Sequence, residues 1–84
     1  MSALTLFVAD TGCPECDALR AQMTDELWAR VATVHVLDTD NEAGWAEADM
    51  RDVFAVPTLA FGNARYHGAS AILERLRLPE GDTL

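Results

Sequence analysis

Cys13 and Cys16 are the only cysteines of the chain, and they sit close together in Thr11-Gly12-Cys13-Pro14-Glu15-Cys16. A thiol pair at that spacing can close into a disulfide within one helical turn. The pair follows an apolar, strand-like run and precedes a helix-like run, so it falls where a helix N-terminus stabilises a thiolate. Free cysteine titrates near pH 8.5, and favourable neighbours lower that by about 1–5 units. Reversible dithiol–disulfide exchange is therefore the chemistry these residues suit. As a structural staple the pair is poor, because the loop it closes is tiny and removes little chain entropy.

The flanking elements must hold the pair at a strand-to-helix junction. Leu4-Thr5-Leu6-Phe7-Val8-Ala9 is short, apolar on both faces and bounded by Asp10-Thr11-Gly12, which reads as a buried central strand. A helix follows, with Pro14 in its first turn, where the missing N–H costs nothing. Leu19, Met23 and Leu27 recur every four residues as its buried stripe, with Arg20 and Arg30 on or near the exposed side. Thr33-Val34-His35-Val36-Leu37 is a second strand, closed by Asp38-Thr39-Asp40-Asn41. Strand, helix and strand at this spacing make a βαβ unit and hence a parallel pair.

From Glu42 to about Asp52 a second helix is expected, capped by Asp40 or Asn41, with Ala46, Met50 and Val53 on one face. Val56-Pro57 forces extended backbone into the strand Thr58-Leu59-Ala60-Phe61. Gly62-Asn63 then turns the chain so that Arg65-Tyr66-His67 pairs back as a hairpin. Gly68 breaks that strand, Ser70 caps a last helix, and Ile72, Leu73 and Leu76 form its apolar face. Pro79-Glu80-Gly81-Asp82 reads as a frayed tail. The expected order is βαβαββα: an α/β domain with a four-stranded mixed sheet and flanking helices, spanning residues 1–84 as one unit.

Composition narrows the function. With 84 residues, half of them apolar, the chain suffices for one small core. The net charge is −8, and all six cationic side chains are arginines. Nucleic-acid binding is excluded, since phosphate neutralisation needs a basic face. The charge suits partners that carry basic patches. Met1-Ser2-Ala3-Leu4 lacks the basic segment and apolar core of a secretory signal. No apolar run is long enough to span a membrane. A cytoplasmic location is the expectation, and there a close cysteine pair is more often catalytic or metal-binding than structural.

The cysteine pair directly after the first strand, with Val56-Pro57-Thr58 before the third and the Gly68 turn into the last helix, resembles the thioredoxin-like superfamily. The short length is similar to its small glutaredoxin-like and NrdH-redoxin-like members, and the resemblance spans residues 3–77. It implies a thioredoxin-like fold, with Cys13 as the exposed nucleophile and Cys16 as the buried resolving thiol. It implies that Pro57 is cis, an isomer found in only about 5% of folded X–Pro bonds, and that the Val56 backbone pairs with extended substrate. Thr11, Pro14, Thr58 and Gly68 complete the implied substrate contacts, and Asp10 and Glu15 modulate the thiol pKa. The implied cycle needs no cofactor or metal beyond the dithiol, and the family habit is monomeric.

Departures from the family pattern bear on the partner. Glutaredoxins usually carry a lysine three residues before the first cysteine to hold a glutathione carboxylate; here that position is Asp10. Glu15 and Asp17 add negative charge that repels anionic glutathione and raises the Cys13 pKa. Before the last helix, His67-Gly68-Ala69-Ser70 has one glycine where glutaredoxins often have two, and Ser70 stands at their acidic position. Arg65 is the cation considered as a replacement. The tryptophan that precedes the pair in thioredoxins is replaced by Gly12, and their buried acid by Phe7. The expectation is a reductase of protein disulfides, recharged by a flavin-dependent thioredoxin-type reductase, with glutathione disfavoured.

Other chemistries use the same residues. Cys13, Cys16, His35 and His67 are zinc ligands in kind, although their spacing is unlike a finger. A cluster shared by two copies through Cys13 and external thiols is an iron–sulfur alternative. A non-catalytic adaptor and a glutathione-dependent glutaredoxin are the others. Trp28 and Trp45 are expected to cover sheet edges, and Tyr66 to pack in the hairpin.

Overall fold

In a computed structural model, residues 4–38 and 40–78 are described. Thr39, inside the expected second turn, and the expected tail at residues 79–82 lie outside them. The elements run β1 (Leu4–Val8), α1 (Pro14–Gln22), α2 (Asp25–Ala29), β2 (Thr33–Val36), α3 (Glu42–Met50), β3 (Thr58–Phe61), β4 (Ala64–His67) and α4 (Ala69–Arg77). The four strands form one mixed sheet in the order β2-β1-β3-β4. β1 runs parallel to β2 and antiparallel to β3, and β3 pairs antiparallel with β4. This is the expected α/β architecture, with one additional helix.

Apolar burial on both faces of β1 makes it the central strand. Leu6 and Val8 join Cys13, Cys16, Leu19, Leu27, Leu59, Ile72 and Leu76 in one core, beneath α1, α2 and α4. Phe7 points to the other face, where it packs with Leu37, Ala48, Val53 and Ala60 beneath α3. The strand alternation thus splits the core into two layers with the sheet between them.

The single long helix expected after the cysteines is instead two. Met23 is extended, and the Thr24 hydroxyl accepts the Leu27 N–H at 3.2 Å to start α2. Threonine followed by Asp25 and Glu26 is a strong N-terminal signal, and it outweighs the four-residue stripe. Leu19 and Leu27 remain buried, whereas Met23 is half-buried.

The α3 face also differs. Asn41 caps this helix as expected, accepting the Gly44 N–H at 3.0 Å. Gly44 and Ala48, not Ala46 and Met50, face the sheet, and Met50 is 80% exposed. Small residues four apart let the helix approach closely, which leaves the bulkier side chains outside. The helix stops at Met50 because Arg51 leaves helical geometry and Asp52 adopts φ 57°.

At α4 the cap is Gly68 at φ 87°, without a side-chain bond, so Ser70 lies inside the first turn instead of capping it. Arg30 is not a solvent-facing residue: its guanidinium donates to the carbonyls of Leu76 and Leu78 at 2.7 and 2.8 Å and closes the C-terminal end of α4. Trp28 packs against the first core. Trp45 is 49% exposed, its indole N–H held by the Asp38 carbonyl at 2.7 Å.

Candidate active site

The end of β1 and the start of α1 put Cys13 at the N-cap of a helix, with Pro14 in the first turn. Gly12 at φ 69° makes the turn into it, a conformation that costs glycine little. Cys13 and Cys16 are bonded, with Cα atoms 5.2 Å apart. The Cys16 N–H donates to Cys13 Sγ at 3.1 Å, so an otherwise unpaired amide of the first turn addresses that sulfur. The Ala9 N–H donates to Cys16 Sγ at 3.5 Å.

Across the cleft, the Val56–Pro57 peptide is cis. The Val56 carbonyl oxygen lies 3.8 Å from Cys13 Sγ. With the disulfide closed, that contact carries no proton; in the dithiol form the Cys13 thiol can donate along it. The Pro57 carbonyl accepts the Gly68 N–H at 3.1 Å, which ties this loop to the β4–α4 turn. Two segments far apart in sequence thus meet at the sulfurs, and a third braces the second.

Several candidate residues sit differently from expectation. Cys16 is fully buried, but Cys13 is only 8% exposed, because the loop at Val56 approaches it closely. Thr58 is buried; its hydroxyl donates to the Ala55 carbonyl at 2.7 Å and lies 2.9 Å from His67 Nδ1. Pro57 is likewise enclosed. Thr11 and Pro14 are exposed, and Val56 and Gly68 are half-buried.

Arg65 is spent elsewhere. It donates to the carbonyls of Arg51, Gly62 and Ala64 around the hairpin turn, at the opposite end of the sheet from the cysteines. The histidines belong to the α3 face: His35 stacks on Phe7 with centroids 5.2 Å apart, and His67 bonds Thr58. The cysteines belong to the other face. Among the described residues, no group of three or more His, Cys, Asp or Glu side chains is placed to hold a metal ion.

The acidic surroundings are less uniform than their sequence. Arg20 pairs with Asp10 at 3.1 Å and Asp17 at 3.4 Å, and donates to the Ala9 carbonyl at 2.9 Å. Its side chain is 30% exposed, so it too departs from a free surface position. The spacing of three residues from Asp17 was the available signal for that pair. Glu15 stands apart from the pairs and faces Gly68; a Cβ on Gly68 would lie 3.5 Å from its carboxylate. Beside the loop, Ala9, Asp10, Thr11, Leu37, Asp38 and Asp40 line a cleft of about 410 Å³ that opens to solvent.

No family model, curated protein or solved structure matches the chain. No described helix is long and apolar enough to cross a membrane.

Proposed function

We propose that this chain is a thiol–disulfide oxidoreductase with a thioredoxin-like fold that reduces protein disulfides. The observation that carries this is the bonded Cys13–Cys16 pair at the start of α1, with the Cys16 amide on Cys13 Sγ and the Val56 carbonyl against the same sulfur.

In the dithiol form, the Cys13 thiolate attacks one sulfur of a substrate disulfide. The substrate S–S bond breaks, a mixed disulfide forms, and the departing thiolate takes up a proton. Cys16, having lost its proton, attacks Cys13 Sγ. The mixed disulfide breaks, the second substrate thiol leaves, and the Cys13–Cys16 bond closes. Two electrons have then passed to the substrate. The helix N-terminus favours the Cys13 anion through its unpaired amides. The Ala9 N–H is placed to stabilise charge on Cys16 during the second step.

A flavin-dependent thioredoxin-type reductase would return the two electrons. This preference over glutathione is supported by the absence of a cation where glutaredoxins carry lysine, by Glu15, and by Arg65 being engaged at the hairpin turn. Because Arg20 pairs with Asp10, repulsion of glutathione is weaker than the row of acids suggests. The missing donor matters more.

The test is reduction of insulin disulfides with a thioredoxin-reductase-type enzyme and its nicotinamide reductant. Steady turnover supports the proposal. Failure to reduce insulin, with dithiothreitol also unable to open the pair, rejects it. Robust turnover of a glutathione mixed disulfide with glutathione alone overturns the choice of partner.

A further inference from the structure

The geometry points to Arg20 as the positioning residue of the dithiol: it holds two neighbouring carboxylates and the loop backbone in the arrangement that lets the sulfurs ionise. The inference rests on the dithiol chemistry proposed above.

Arg20 stands one turn beyond Cys16 on α1, and side chains four apart on a helix are neighbours. Long helical side chains lie back toward the N-terminus, so the guanidinium reaches over the turn that carries the cysteine. There it donates to the Ala9 carbonyl at 2.9 Å, while the Ala9 N–H donates to Cys16 Sγ at 3.5 Å. One residue of the loop is thus fixed at both ends, by a cation and by a sulfur. Standard backbone dimensions then place the guanidinium within roughly 10 Å of Cys16 Sγ. That is about one Debye length at ordinary ionic strength, so its charge is felt at the sulfur.

The surrounding groups make that charge matter. Asp10 in the loop and Asp17 and Glu15 on α1 are the acids nearest the pair in sequence, and α4 adds no acidic residue in its first turn. From β4, His67 is committed to Thr58 through Nδ1. A carboxylate near a thiolate raises the thiol pKa. Arg20 occupies Asp10 and Asp17 at 3.1 and 3.4 Å; Glu15 on α1 stands outside those pairs, and Asp38 and Asp40 after β2 line the cleft beside Asp10. Arg30, Arg51, Arg65 and Arg75 are engaged elsewhere: on the α4 end, on Glu47, on the hairpin turn, and over Phe61 and Tyr66.

Exposed ion pairs contribute little to stability, so the effect must be read at the sulfurs. Reduced wild type, Arg20→Gln and Arg20→Lys are alkylated with iodoacetamide across a pH series, and each is equilibrated with dithiothreitol. Arg20→Gln is expected to move the alkylation midpoint up by about half a pH unit, or threefold in thiolate fraction near neutrality. It should also favour the disulfide, by up to threefold once the pH lies above both midpoints, because the reduced form has lost stabilisation of its anion. Arg20→Lys keeps the charge and should recover most of the shift. An unmoved midpoint in Arg20→Gln, or a lysine variant indistinguishable from it, overturns the inference. If wild type fails to cycle with dithiothreitol, the dithiol chemistry itself fails; if wild type cycles and the glutamine variant matches it, only the role of Arg20 does.

Discussion

The backbone amide of Cys16 donates to the sulfur of Cys13 at 3.1 Å, so the second cysteine supports the first through its main chain as well as through the bond between them. This follows from Cys13 standing at the N-cap, where an oxygen-bearing side chain usually accepts that amide. A thiolate is a better acceptor than a bonded sulfur, so the contact favours the open form.

The two cysteines should fail differently when replaced. Cys13→Ser is expected to abolish insulin reduction, since no thiolate remains to lead. Cys16→Ser should still attack but not resolve, and should accumulate a mixed disulfide visible by mass spectrometry after reaction with an aromatic disulfide. Retained turnover in Cys13→Ser would sink the assigned order and leave an adaptor role.

Removing Glu15, which stands outside the Arg20 pairs, should act opposite to removing Arg20. Glu15→Gln takes away a negative charge beside the pair and is expected to lower the Cys13 midpoint in a pH series of alkylation rates. The shift should be a few tenths of a pH unit, because Glu15 is exposed and screened. A rise would mean that this carboxylate assists the thiolate through a contact made only in the reduced form.

Thr24→Ala removes the hydroxyl that accepts the Leu27 N–H and starts α2. Loss of such a cap costs about 1 kcal/mol, which lowers Tm by about 4–8 °C in a domain of this size. Insulin reduction at 25 °C should be unchanged, since the Thr24 hydroxyl bonds the Leu27 N–H and none of the groups placed around the sulfurs. Calorimetry and the activity assay check the two halves separately.

Gly44→Ala tests a sign. Alanine inside a helix is ordinarily worth about 0.5–1 kcal/mol over glycine. Here a Cβ would stand 2.5 Å from Asn41 Nδ2 and 2.9 Å from its Cγ. Asn41 bonds both the Gly44 N–H and the Val36 carbonyl, so displacing it breaks the cap and the link to β2. The variant is expected to be less stable by about 1 kcal/mol, seen as a lower denaturant midpoint. A gain in stability would show that Asn41 moves aside without loss.

The four strands, their order along the chain and the cysteine junction were legible in the residues themselves. Apolar runs of the right length, proline in a first turn and Gly62-Asn63 at the hairpin are local signals, and local sterics act wherever those residues occur. The break at Thr24 was legible too, in a capping pattern that the apolar stripe obscured. The face of α3 was not, because its orientation depends on how closely Gly44 can approach the sheet.

What the residues determined unaided was a thiol pair at the mouth of a helix, within an α/β chain of this element order. The tertiary structure decided which groups surround it: Val56 against Cys13, Ala9 on Cys16, Arg20 on Asp10, and Arg65 kept away at the hairpin turn. The reason is range. Helix and strand preferences arise within a few residues, whereas the charge and hydrogen bonding at a sulfur depend on side chains that only the packed sheet and helices bring within a few ångströms.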